Sequence, residues 1–541
     1  MILLLFLLTF EEKAFGTLGA GGEVSQIQAN MDVKDLHLKV KIDPKEKTVS
    51  GVAEWGVFLK HKLPNQLEWD LYDGFTVTSV TGDGDSALSF QQKGHKLFVD
   101  LPQESAREWR IRIEYSGKPL VAANPPWRGG FTWAKTDSGD PWVAVSCQGE
   151  GAKVWFPAKD VMGDKIEGVQ LEFTVPEALY CAANGTLAEI THAGKGWHTF
   201  HWRSDYPING YNISFGLADY DVIKDVFKGP DSSETPVAFY YLKEYQKADQ
   251  VPGDTRDYPT KVRSLVSEFK RYLAFYANHY GPFPFSEDKA GVVHTPYLGM
   301  EHQTINAYGN HFKMEQGYDW LLLHELGHEW WGNKVSLYDW RDLWIHEGIC
   351  TYATGVFLEE TQSMEAAHQF FAGLRKTLSN KKPIVGAKNT STSDAYSLDV
   401  YNKGALTLHS LRFLLGKALV DQILKGFAMS PSGTHLHPVD TGEFIALAEA
   451  ISGRELGWFF DQYLNKAGLP QLTSERVGQR LNLSWDNANF EMPLQVRVIH
   501  EGTTRFHRVI MHEGKGYLEL PQGAQYNVDP DDWVLKNHAG N

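Results

Sequence analysis

From residue 31 to about 220, apolar and polar positions alternate, as in Leu36-His37-Leu38-Lys39-Val40-Lys41-Ile42 and Trp109-Arg110-Ile111-Arg112-Ile113-Glu114-Tyr115. A period of two sends successive side chains to opposite faces of a strand, so this text predicts half-buried β-strands. Asp43-Pro44, Gly82-Asp83-Gly84 and Asn184-Gly185 punctuate it as turns. The expected first unit is a β-sandwich-like domain over 23–228. Gly229-Pro230-Asp231-Ser232-Ser233 reads as a polar linker, and the period then changes. Val262, Leu265, Val266, Phe269, Tyr272, Leu273, Tyr276 and Tyr280 recur at three- and four-residue steps, one face of a helix that Gly281-Pro282 stops. Helices are expected over 317–333, 341–361, 363–378, 402–425, 440–451 and 456–466, within a unit spanning 229–468. After Gly468-Leu469-Pro470, alternation returns at Leu494–Ile499 and Tyr517–Leu520, which predicts a small β-module over 469–541. The class is therefore multidomain α+β, without internal repeats of solenoid or propeller period.

Composition narrows the chemistry. The 541 residues are 42% hydrophobic and 22% charged, ordinary for folded domains with cores of their own. A net charge of −15 disfavours nucleic acid and anionic lipid surfaces as partners. The three cysteines, Cys147, Cys181 and Cys350, have no Cys-x-x-Cys spacing and leave at most one disulfide open. Past residue 10 no apolar run approaches membrane-spanning length. Ile2–Phe10 has the length of a secretion-signal core and Ala14-Phe15-Gly16 offers small residues for cleavage, but no Lys or Arg precedes the run. Export and cytoplasmic residence both stay open, and residues 1–22 are set aside as a signal segment or disordered start. The 17 Trp and 23 Tyr are scattered and read as core rather than as a platform for sugar or bases.

The chemistry concentrates at His324-Glu325-Leu326-Gly327-His328. Histidines four apart share one helix face, so both imidazoles can reach one Zn²⁺ while Glu325 addresses a metal-bound water. A catalytic zinc takes a third protein ligand and keeps one position open. Glu347, 19 residues after His328 on the next expected helix, is the candidate. His346 neighbours it in sequence and should point elsewhere, to packing or to support of the ligands. Trp330 and Trp331 should pack beneath the site.

These residues resemble the zinc metallo-aminopeptidases typified by aminopeptidase N and leukotriene hydrolase, gluzincins with His-Glu-x-x-His followed after 18 residues by Glu. Tyr297-Leu298-Gly299-Met300-Glu301-His302 resembles the family's Gly-x-Met-Glu-Asn motif, and Asp399–Ala405 the segment holding its catalytic tyrosine. Trp155-Phe156-Pro157 with Asp160, and Tyr280–Phe285, match further family text. The resemblance implies a thermolysin-like, mostly helical zinc domain over 229–468 between the β-sandwich-like domain and a small C-terminal β-sandwich. It implies a zinc aminopeptidase with one Zn²⁺ per chain on His324, His328 and Glu347, Glu325 as general base, and Tyr401 stabilising the tetrahedral intermediate. Tyr396 matches a second tyrosine near the site. Glu301, Gly299, Met300 and Gln148 would bind the substrate amine, with Glu150 a rival to Gln148. The implied partners are peptides with a free N-terminus. Leu298 and His302 depart from the pattern where Gly and Asn are usual, and Ile349-Cys350 follows Gly348 where Phe-Ala is common. The sequence carries no counterpart of the large C-terminal helical domain that caps the site in many relatives, so a more open cavity is expected. An endopeptidase and a non-catalytic binding protein are the rival readings.

Overall fold

The computed structural model describes residues 18–62, 64–102, 106–430 and 436–537. Residues 1–17 of the expected signal segment lie outside the described residues.

The alternating text folds as expected. A seven-stranded sheet runs in the order Thr186–His192, Trp197–Ser204, Gly168–Pro176, Met31–Asp43, Thr48–Leu59, Glu108–Gly117 and Phe75–Thr81. All its pairs are antiparallel except that of Met31–Asp43 with Gly168–Pro176. A four-stranded sheet of Tyr180–Ala183, Phe215–Ala218, Pro141–Ser146 and Gly130–Lys135 packs on it. Phe131 and Phe215 from the smaller sheet meet Trp155, which stacks on Phe173 of the larger one, and these rings form the dry seam.

The polar stretch 229–233 is not a linker. It is the turn of a hairpin between Tyr220–Lys228 and Glu234–Leu242, closed by Gly229 N–H to Ser233 C=O at 2.8 Å. That hairpin continues into a five-stranded sheet with Ala290–His294, Asn306–Tyr308 and Gly299–Met300. Sequence periodicity missed the inner strands because Ala290–His294 is buried at every position and so shows no alternation.

The longer helices are labelled in chain order: α1 (Tyr258–Tyr280), α2 (Trp320–Gly327), α3 (Trp344–Thr361), α4 (Met364–Arg375), α5 (Leu398–Leu415), α6 (Lys417–Met429), α7 (Thr441–Ser452) and α8 (Gly457–Leu464). The expected helix 402–425 is two helices, broken at Gly416, whose φ of 91° ends α5. The expected helix 317–333 shrinks to α2, because Asp319 caps its start through Leu321 and Leu322 N–H. Beyond α8 come two three-stranded sheets, with Leu483, Trp485, Met492 and Val496 in their core. Cys147, Cys181 and Cys350 are all buried free thiols, so the disulfide left open by the sequence is absent.

Helices α3 and α5 set the site, and their closest approach is at two glycines. A Cβ on Gly348 would lie 2.9 Å from the Gly404 Cα and 3.1 Å from the Val400 carbonyl. Ala at a helix interior gains about 1 kcal/mol of propensity over Gly, whereas overpacking of this kind costs about 1–3 kcal/mol. Gly348→Ala is therefore expected to lower the thermal unfolding midpoint. Gly457→Ala, which meets nothing within 4 Å, should leave it unchanged or raised; equal midpoints for both would contradict close packing here.

Candidate active site

Helix α2 carries His324 and Glu325 and ends at Gly327, with His328 as its C-terminal cap. Its start is fixed from below: Asp319 accepts hydrogen bonds from Tyr308 Oη at 2.6 Å and Asn310 Nδ2 at 2.9 Å. Burial lifts the Asp319 carboxyl to about 6. Helix α3 begins at Trp344, which places Glu347 in its first turn facing α2.

The three expected ligands converge. His324 Nε2 and His328 Nε2 lie 3.2 Å apart, and each is 3.3 Å from Glu347 Oε2. Tetrahedral zinc with bonds of about 2.0–2.1 Å separates its ligand atoms by roughly 3.3 Å, so the three atoms already mark one face of such a tetrahedron. His328 Nδ1 lies 2.9 Å from the Trp331 carbonyl. A carbonyl only accepts, so Nδ1 holds the proton and Nε2 presents its lone pair to the cluster. Burial works against charge on Glu347, but His328 and His324 outweigh it and hold its carboxyl below the usual range. Residue types, spacing and tautomer all fit a zinc ion.

Around this cluster lies a cleft of about 870 Å³ lined by Pro126, Trp127, Gln148, Leu298, Met300 and Trp320, among others. Glu325 faces it, its carboxyl pushed well above the usual range by burial, with Glu301 and Glu347 adding to the effect against His328. Gly299 lies on the edge strand Gly299–Met300, and a Cβ there would come within 2.8 Å of Glu325 Oε1 and 2.7 Å of Leu321 Cδ1. Glycine is what lets that backbone approach the helix. Glu301 is buried; Gln148 Nε2 contacts its Oε1, and Tyr211 Oη donates to the same oxygen at 3.2 Å. Tyr396 Oη contacts Gln148 Oε1 and lies 3.3 Å from Glu347 Oε1. The Tyr401 ring stacks on His324 with centroids 6.0 Å apart. Met300 also lines the cleft.

Two sequence expectations need correction, and one residue was missed. Glu150 is not a rival to Gln148: its carboxylate accepts the Leu18 N–H at 2.7 Å, away from the cleft. Residues 18–22, set aside from the fold, belong to it. Ala20 N–H donates to the Gly149 carbonyl at 3.1 Å and to Thr392 Oγ1 at 3.0 Å, while its carbonyl accepts the Thr392 N–H at 2.9 Å. This strap ties the loop holding Gln148 to the segment leading to Tyr396. Tyr211 was overlooked because one tyrosine in Asn209-Gly210-Tyr211-Asn212 carries no spacing signal. His346 is fully buried, its pKa driven down to about 3 by burial, and stands outside the three-ligand cluster. His302 is likewise buried and does not line the cleft, whereas Leu298 does. Trp330 stacks on Tyr276 and Trp331 on Phe427, both as packing.

Residues 270–463 match the peptidase family M1 domain. Aminopeptidase N of Haemophilus influenzae is 21% identical over 552 residues, which cover 95% of this chain and 59% of that protein. Leucine aminopeptidase 2 of Aspergillus niger is 27% identical over 360 residues, 61% of this chain and 53% of that one. The chain thus spans little more than half the length of these curated relatives. The M1 zinc metallopeptidase of Deinococcus radiodurans shares the fold, with a TM-score of 0.67 at 22% identity over 82% of this chain and 95% of that one. A mutant of that protein bound to a Tyr-Ser-Ala substrate aligns with a TM-score of 0.68, again at 22% identity and covering 82% and 95% of the two chains.

The strap can be tested without reference to chemistry. Thr392 Oγ1 donates to the Gly149 carbonyl at 2.6 Å and accepts the Ala20 N–H. Thr392→Val keeps the shape and removes both bonds, an expected loss of about 1–3 kcal/mol. Denaturant unfolding should show that loss, and limited proteolysis should cut ahead of residue 23 faster than in the wild type. Unchanged stability and unchanged cutting would contradict a strap.

Proposed function

We propose that this chain, whose residues 270–463 match the peptidase family M1 domain, is a zinc-dependent aminopeptidase that removes N-terminal residues from peptides. The observation that carries this reading is the buried Glu301 carboxylate, held at the cleft wall by Gln148 and Tyr211 beside a ready-made three-ligand cluster. A buried carboxylate gains most from a cation that it can hydrogen-bond, and a free α-ammonium supplies one. A blocked or internal peptide bond brings no cation, so an endopeptidase is disfavoured.

One Zn²⁺ per chain, on His324, His328 and Glu347, would lower the pKa of a bound water toward neutrality and polarise the scissile carbonyl. The chain's own groups do the rest. Glu325 Oε takes a proton from the attacking water and passes it to the leaving amine nitrogen. Tyr401 Oη donates to the carbonyl oxygen as negative charge builds there. Its phenol stays protonated because burial, with Glu347 and Glu301 near, pushes its pKa well above the ordinary value. Tyr396 orients the Gln148 amide, and with it the wall that fixes the amine. Glu301 and Gln148 set the distance from the amine to the reacting carbonyl, which restricts cleavage to the first peptide bond. The intact set of Glu325, three ligands and Tyr401 disfavours a binding protein that has lost catalysis.

A panel of peptides, each with a free and with an acetylated N-terminus, tests this reading. Cleavage is expected for free amines alone and is lost on chelation. Glu325→Gln should lower kcat by about 10²–10⁴-fold, the usual worth of a positioned acid–base group, while retaining zinc. Tyr401→Phe should cost about 10²–10³-fold, as for other oxyanion donors. Equal cleavage of blocked peptides would overturn the role of Glu301 and make the protein an endopeptidase; zinc retention without any cleavage would make it a binding protein.

A further inference from the structure

A second group of metal-binding side chains stands at the rim of the β-domain. Glu177, His192 and His198 bring a carboxylate oxygen and two imidazole nitrogens within 4.8 Å of one another. The topology explains the convergence. His192 and His198 face each other across the antiparallel pair of Thr186–His192 and Trp197–Ser204. One step nearer the turn, Ala193 N–H donates to the Trp197 carbonyl at 2.9 Å. The histidines therefore occupy the adjacent position without ladder hydrogen bonds, where opposed side chains come closest. Their rings are 6.1 Å apart.

The third donor comes from the other flank of the His198 strand. Val175 of Gly168–Pro176 is the partner of His198. Side chains two residues apart share a face, so Glu177, just past the end of that strand, follows Val175 to the histidine side. The Glu177 N–H also donates to the Gly196 carbonyl at 3.0 Å, which fixes Glu177 to the hairpin that carries both histidines. The next pair inward on this face, Phe173 with Phe200, is buried. The cluster thus sits where the sandwich core ends and solvent begins, with Glu177 and His192 exposed and His198 half-buried. Exposed side chains keep rotamer freedom, enough to draw three donors from within 4.8 Å to the roughly 3.3 Å edges of a tetrahedral ion.

We propose that Glu177, His192 and His198 form a peripheral site for a divalent transition-metal ion of the zinc, copper and nickel class. Two imidazoles and one carboxylate suit these borderline ions, whereas Ca²⁺ and Mg²⁺ require more oxygen donors. Water completes the coordination. The bound ion joins the 193–196 turn to the turn after Pro176 and so pins the outer edge of the seven-stranded sheet. The proposal stands apart from catalysis and holds whether or not the protein is a peptidase.

Zinc itself is the probe. After dialysis of the full chain against a buffer holding micromolar free zinc, the wild type should retain one more zinc per chain than the His192→Ala/His198→Ala double variant. Glu177→Gln should fall between them as free zinc is lowered. His324→Ala should lose the catalytic ion and keep the peripheral one, which separates the two sites. Because His198 is half-buried, His192→Gln on the edge strand serves as a second variant, and it too should lose the extra ion while cleaving peptides at the wild-type rate. Adding zinc to wild type that holds only the catalytic ion should raise its melting temperature, and the variants should not respond. Equal zinc in wild type and both histidine variants, or displacement of the ion by millimolar Mg²⁺, would overturn the proposal.

Discussion

Two imidazole nitrogens and a carboxylate oxygen held 3.2–3.3 Å apart in a buried pocket are costly to assemble without a cation. A divalent ion repays that cost directly, which couples metal binding to the folding of the region. The surrounding architecture serves that cluster. The Asp319 cap fixes the start of α2, the Gly348–Gly404 contact sets how deep α3 lies, and the Trp331 carbonyl chooses the tautomer of His328. Each acts on the ligands through the backbone or one ring nitrogen, and together they leave the ligand side chains little freedom.

The proposed amine site is built where the β-domain meets the helical region. Glu301 directly follows the edge strand Gly299–Met300 of the five-stranded sheet, while Gln148 and Tyr211 come from the β-domain. Neither part brings these three side chains together alone. That explains the density of ties where the two meet: Asn212 to Asn333 at 2.6 Å, Asn184 to the Gln303 carbonyl at 2.6 Å, and the strap of residues 18–22 bridging Gly149 and Thr392. Asn333 in turn donates to the Glu301 carbonyl at 3.0 Å, so the interface network ends on the residue proposed to meet the substrate amine. A rigid seam of this kind is the physical requirement for measuring a fixed distance from an amine to a carbonyl.

The convergence of His324, His328 and Glu347 was legible because its pattern is local: a four-residue spacing sets a helix face, and the next helix carries the third donor. The half-buried strands were legible by their alternation. What failed to show was whatever depends on burial on both sides or on long-range contact. Ala290–His294 gave no period because both of its faces are covered, and the hairpin turn at 229–233 looked like a linker because turns and linkers share polar residues and glycine. Gly416 interrupts an apolar helical pattern that continues on either side, so periodicity alone ran through it. Tyr211 and the strap act through contacts across 90 or more residues of sequence, where no spacing rule operates.

X-ray absorption at the zinc edge, on protein loaded with one equivalent of zinc, probes the central cluster most directly. The account predicts a four-coordinate ion with nitrogen and oxygen neighbours alone, at about 2.0–2.2 Å, including two imidazoles. Cys350, a free thiol, lies with its Sγ 3.5 Å from His328 Nδ1. A sulfur neighbour at about 2.3 Å, or an ion with fewer than two imidazoles, would contradict ligation by His324, His328 and Glu347.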